Sequence, residues 1–124
     1  MSVRVFRVQD ADGRDPWKPG FSMHWVDFDK APPPAPFYEE FPDIDLQKEL
    51  RNGHLGCGCR SLSQIGLWFN RKELATLAQL GYGIVQVRAD KVIAESKNQL
   101  VFWRKTPLNI GAIILPFGQS VLLA

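Results

Sequence analysis

Histidine and cysteine are scarce in this chain, and most of them sit close together. The two histidines are His24 and His54, the two cysteines are Cys57 and Cys59, and His54-x-x-Cys57-x-Cys59 gathers three of the four. Two His and two Cys are a sufficient donor set for tetrahedral zinc. The usual structural pattern repeats Cys-x-x-Cys or His-x-x-x-His pairs, and this spacing does not. Buried structural thiols are the simpler reading, and no metal is expected. A Cys–His nucleophile pair is disfavoured because residues two or three apart on a strand seldom reach productive geometry. The cysteines are also too close along the chain to bridge well. Gly56 and Gly58 flank Cys57 and suit a strand that another backbone approaches closely. Asp10 to Asp15 (DADGRD) looks superficially like a calcium loop, but its glycine is at the fourth loop position and Phe21 stands where the closing Glu belongs. A polar turn fits better.

Those residues need a scaffold, and its size is bounded. At 124 residues the chain is one domain, 1–124. Hydrophobic residues make up 45% and charged residues 23%, which excludes a wholly disordered chain. The formal charge is +2, and the basic residues are scattered among acids, so no nucleic-acid partner is expected. The opening MSVRVFRVQDADGRD lacks the apolar region of a secretory signal. The most apolar stretch, Ile110 to Ala124, is broken by Gly111, Pro116 and Gly118, so no membrane span is expected. The expected location is cytoplasmic.

Val3 to Val8 alternates as a strand does, with Val3, Val5 and Arg7 on one face and Arg4, Phe6 and Val8 on the other. Residues 9–60 are irregular, with a short strand expected at His24 to Phe28 and a proline run from Pro32 to Pro36. The same segment holds Trp17, Phe21, Trp25, Phe28, Phe37, Tyr38 and Phe41. So many rings imply an ordered loop wrapped against the body, either as a functional loop or as cover for one face of a small sheet. Asp45 to Arg51 suits a short helix ended by Asn52-Gly53, and Cys57 to Arg60 a short strand.

Ser61-Leu62-Ser63-Gln64 is a capping box that should open a helix running to about Phe69, with Leu62, Ile65, Trp68 and Phe69 inward. Asn70-Arg71-Lys72-Glu73 repeats the signal for a second helix, whose stripe is Leu74, Leu77, Ala78 and Leu80 and whose stop is Gly81. Tyr82 to Ala89 and Gln99 to Arg104 read as strands, with Asp90 to Ser96 as their connection. The apolar tail, 108–124, has room for strands at Ala112 to Leu115 and Ser120 to Leu123. This order predicts an α+β domain: a small mixed or antiparallel sheet, two central helices and a long ordered loop rich in aromatics and proline.

Three pieces in chain order carry a resemblance. They are Phe6-Arg7 on the first strand, Cys59-Arg60-Ser61-Leu62-Ser63 at a strand-to-helix passage, and Glu95-Ser96-Lys97-Asn98-Gln99-Leu100-Val101-Phe102 leading into an apolar strand. Together they resemble the mono-ADP-ribosyltransferase family. The resemblance implies an NAD-binding, ADP-ribosyltransferase-like domain. In it Arg7 would hold phosphate or ribose, Ser61 the nicotinamide ribose, and Trp17 or Phe21 would stack on a ring. The catalytic carboxylate belongs just before the apolar strand, where it would stabilise an oxocarbenium-like transition state. This chain has Gln99 there, and a Gln carries no charge and accepts no proton. The carboxylate role then falls to Glu95, or to Glu39 or Glu40 from the loop, or the domain binds without catalysing. The alternative is a non-enzymatic protein-binding module, such as a small inhibitor of a cellular or phage-defence complex, with the aromatic loop and apolar tail as its interface.

Overall fold

In the computed structural model, which describes residues 2–115, the first strand is the layer on which everything else is laid. Strand β1 (Val3–Gln9) is buried from Val5 onward on both of its faces. It pairs antiparallel with β3 (Gly83–Ala89) from Val3 opposite Ala89 to Gln9 opposite Gly83, and β3 pairs in turn with the short β6 (Ile113–Ile114). A second antiparallel sheet has the order β2 (His54–Gly58), β5 (Leu100–Arg104), β4 (Lys91–Glu95). Among the described residues one isolated backbone bridge joins the sheets: Phe6 N donates to Cys59 O at 2.8 Å and Cys59 N to Phe6 O at 2.7 Å.

Strand alternation divides the core in two. Phe6, Val8 and Ile84 face the helices and the aromatic loop, packing with Trp25, Ile65, Phe69, Leu74, Leu77 and Tyr82. Val5, Val85 and Val87 face the other sheet, packing with Leu100 and Phe102. Arg7 shares the Val5 face, so its parity directs it between the sheets. The α+β expectation holds, realised as two small antiparallel sheets and two helices in the middle of the chain.

Those helices are α3 (Leu62–Ile65) and α4 (Arg71–Gln79), which follow α1 (Phe37–Glu40) and α2 (Leu46–Glu49) in the loop region. Both capping boxes form. Helix α3 is shorter than its apolar pattern suggested. After Gly66 the chain tightens into three-residue turns, and the Trp68 indole donates to Asn98 O at 3.1 Å, which draws the segment toward the β4–β5 turn. Gly81 takes the left-handed φ of 91° that ends α4.

Three other expectations change. The strand expected over Cys57 to Arg60 starts and ends earlier, at His54–Gly58, where β5 lies alongside to pair with it, and Cys59 adds only the bridge to Phe6. His24 to Phe28 is not a strand: Ser22–His24 is a 3-10 turn. The amides of Trp25 and Val26 are spent on Ser22 O, and that of Asp27 on Glu73 Oε2, leaving no ladder to join. Residues 91–95 are a strand, not a connection, because Val92 and Ile93 are β-branched and find β5 alongside, across a bulge between Val92 and Ala94. Ala112 to Leu115 contributes β6 as expected, whereas Ser120 to Leu123 lies outside the described residues.

The proline- and aromatic-rich segment wraps the body. Trp25 is buried, donates to Pro16 O at 3.1 Å and meets Trp17 and Phe69 edge to face or tilted, with centroids 4.7 and 5.4 Å away. The buried Glu73 fastens the loop to the start of α4, accepting from Asn70 N and Asp27 N, each at 2.9 Å, and from Lys30 Nζ.

Candidate functional site

Arg7 is a costly residue to bury. It is 5% exposed, and among the described residues its side chain makes one hydrogen bond, a long one from Nη2 to Gly13 O, 3.4 Å. Nε and Nη1 have no hydrogen-bond partner among the described residues. Among the described residues no carboxylate comes within ion-pairing distance, although Asp15 and Asp10 act on Arg7 through space. Desolvation lowers the guanidinium below its ordinary pKa against those charges and the Cys57 thiol.

Glycine makes the room that Arg7 occupies. A Cβ on Gly56 would stand 2.3 Å from Arg7 Nη1 and 2.7 Å from the Phe102 ring, and one on Gly58 would stand 2.4 Å from Val5. The alternation Gly56-Cys57-Gly58 thus lets β2 cross β1 at a distance that no larger residue permits.

Arg7 and both cysteines line a cavity of about 760 Å³. One wall is β1 and β2, another is the turn carrying Gly13 to Lys18, and the cover is Pro33, Pro34, Pro36, Phe37 and Tyr38 from the loop. Trp17, Trp68 and Phe69 add aromatic surface, and Gln99 lies at the start of β5. That volume is typical of small-molecule sites, as is an apolar lining with few polar groups.

Of the residues singled out from the sequence, Arg7, Trp17 and Gln99 meet in this cavity. Ser61, Phe21 and Glu95 do not line it. Ser61 is used at the start of α3, where its amide donates to Gln64 Oε1 at 3.0 Å and its hydroxyl lies 3.0 Å from Ser63 Oγ. Phe21 stacks on Tyr82 at 5.6 Å. Glu95 is held in a two-pronged exposed pair by Arg60, at 2.7 and 2.8 Å, which keeps its carboxyl below the usual range.

Glu40 is the carboxylate that does meet Gln99. Gln99 Nε2 donates to Glu40 Oε1 at 2.8 Å and to Ala35 O at 2.9 Å, while Asn98 Nδ2 reaches Glu40 Oε2 at 3.3 Å. Burial alone would raise the Glu40 carboxyl. Hydrogen bonds from Gln99, Ser96 and Asn98, with the charge of Lys97, outweigh it and hold the group below the usual range, so Glu40 is an anion at neutral pH.

That Gly56 faces Arg7, and that Phe37, Tyr38 and Trp68 share its cavity, was not anticipated from the sequence. The one available signal was the Gly-x-Gly alternation on a strand. Both thiols are pushed up to about 12 by burial, against the charge of Arg7 in the case of Cys57, so neither is a ready nucleophile. Among the described residues no three His, Cys, Asp or Glu side chains gather as a metal site. The DADGRD segment is a polar turn closed on itself, with Asp10 Oδ1 accepting from Asp12 N and Arg14 N, each at 2.9 Å. Among the described residues no helix is long and apolar enough to cross a membrane.

A family model described as Bacteriophage T4 Y00F protein matches residues 1–114, so the chain belongs to that family. No curated protein and no solved structure matches the chain.

Proposed function

We propose that this member of the bacteriophage T4 Y00F family binds NAD in the Arg7 cavity, as an ADP-ribosyltransferase-like domain with Gln99 where that resemblance calls for a carboxylate. One observation carries the reading: a cation buried in the wall of a cavity with two N–H donors unpartnered. Evolution seldom retains such a group for stability, because removing it relieves a desolvation penalty. Nε and Nη1 are closed off by the fold, so an anionic ligand group supplies what they lack only once the side chain turns toward the cavity, where Arg binds phosphate with geometric specificity. Trp17 and the rings of Phe37, Tyr38 and Trp68 offer surface to a nicotinamide or adenine, and Gln99 offers a hydrogen bond to a hydroxyl. With its thiols uncharged and unbridged, the domain suits a reducing, cytoplasmic setting.

Calorimetric titration with NAD is the direct test. We expect saturable binding below millimolar concentration, weakened at least tenfold in Arg7→Lys, which keeps the charge but not the fork. No heat at millimolar NAD removes the reading.

A second reading, a protein-binding module, is favoured by β6, an edge strand whose Ile113 and Ile114 are both exposed. If it holds, the paired change of Ile113→Lys and Ile114→Lys abolishes a stoichiometric complex that the unaltered chain forms.

A further inference from the structure

We infer that Glu40 is a positioning residue for the ligand site, fixing the Gln99 amide so that it presents its oxygen, and only its oxygen, to the ligand. The inference deepens the NAD reading and rests on it for the identity of the ligand, but its geometry stands separately.

The two groups that meet Gln99 Nε2 are a backbone carbonyl and an ionised carboxylate, neither of which has a proton to give. The amide therefore has one allowed orientation: both N–H bonds point at Ala35 O and Glu40 Oε1. Gln99 Oε1 has no hydrogen-bond partner among the described residues, and it belongs to a residue that lines the cavity. A charged acceptor on the nitrogen also draws the amide dipole, which strengthens the oxygen as an acceptor.

The support behind the pair is rigid. Ser96 N donates to Gln99 O at 2.8 Å, Ser96 Oγ accepts from Asn98 N at 3.1 Å, and Gln64 Nε2 reaches Lys97 O at 2.9 Å. Glu40 thus comes from the loop and Gln99 from a braced turn, and their contact also holds the loop over the cavity.

The chemical consequence is a division of labour. Arg7 takes an anionic group, and Gln99 takes a neutral donor such as a ribose hydroxyl, so the site selects a ligand bearing both, as a nucleotide does. A carboxylate at 99 would face Glu40 and Ala35 O with no donor between them, so Gln99→Glu alone cannot recreate the resembled family's site here. The charge and the amide must be exchanged together.

The test combines two readouts on the full chain. In nitrogen-15 NMR, the Nε2 protons of Gln99 should be shifted downfield and protected from solvent exchange in the unaltered chain, and should lose that shift and protection in Glu40→Gln. In NAD titrations, Glu40→Gln and Gln99→Glu should each weaken binding about tenfold or more. The double exchange E40Q/Q99E should recover part of that loss, because the amide at position 40 again puts a donor between the two side chains, while Ala35 O keeps none. Unchanged Gln99 signals in Glu40→Gln, or full NAD affinity in that variant, overturn the role of Glu40. A chain that binds no NAD but loses the Gln99 signature in Glu40→Gln overturns the choice of ligand and leaves the amide lock supported.

Discussion

Replacing Arg7 by Met should make the protein more stable and unable to bind NAD. Met approximates the length of the arginine stem and is flexible enough to fill the gap. The change removes a desolvated cation and two orphaned donors, Nε and Nη1, at the cost of a 3.4 Å bond to Gly13 O. Each unsatisfied donor costs about 1–3 kcal/mol. Replacing buried charge by well-packed apolar groups is often stabilising by about 1–4 kcal/mol. The through-space attraction of Asp15 and Asp10 offsets part of the burden, so a net gain of about 1–3 kcal/mol is expected. For a chain of this length that raises the melting temperature by roughly 4–12 °C. Thermal melts with and without NAD make the test two-sided. NAD at a hundredfold excess over Kd should stabilise the unaltered chain by about 2.7 kcal/mol and leave Arg7→Met unmoved. A lower melting temperature for Arg7→Met without ligand would show that Arg7 is a structural brace, and the case for an anion site would fall with it.

Gly56→Ala should have the opposite signature. Its methyl group would collide with Arg7 Nη1 and Phe102, costing about 1–3 kcal/mol in chemical denaturation and displacing the guanidinium enough to lose NAD. Glu73→Gln, at a fully buried carboxylate with three donors aimed at it, should cost about 2–4 kcal/mol in the same assay, because Lys30 is left without its counter-charge. Cys57, pushed up to about 12, should react with iodoacetamide at pH 8 on the order of a thousandfold more slowly than a free thiol, as read by intact mass before and after denaturation. Glu40 titrates lower in the fold than in the unfolded chain, so its stabilisation is complete above about pH 4.3 and is lost as pH falls through its folded value. Melts from neutral to acid pH should therefore show a shallower acid-side decline in Glu40→Gln.

Local chemistry explains what could be read from the sequence. The capping boxes at Ser61 and Asn70 and the stop at Gly81 need only neighbours three or four residues away, and all three form. Alternation located β1 and β3 for the same reason, and β5 lies where a strand was expected. The errors fall where tertiary pairing decides. Residues 91–95 became a strand because β5 was there to receive them, and Trp25 left an extended pattern because Pro16 O and the ring of Phe69 offered it more. Sequence order also could not say that β1 would be covered on both faces, which is what turns Arg7 from an edge cation into a buried one.

The same distinction separates the parts of the candidate site. Arg7 on its strand and Gln99 just before one are conspicuous, whereas for the missing carboxylate the sequence pointed to Glu95 first, with Glu39 or Glu40 as alternatives. Glu95 is nearest to Gln99 along the chain, yet Arg60 holds it away, while Glu40, 59 positions distant, is in contact. The choice follows from saturation of donors. Arg60 can satisfy both oxygens of Glu95 on the surface, and this removes any electrostatic reason for Glu95 to enter the cavity. The Gln99 amide, fixed at the head of β5 with two N–H groups to place, then requires acceptors from whatever covers it. The loop supplies them as Ala35 O and Glu40, so a glutamine just ahead of the strand and a carboxylate on the loop form one unit, and neither is intelligible as a substitution considered alone.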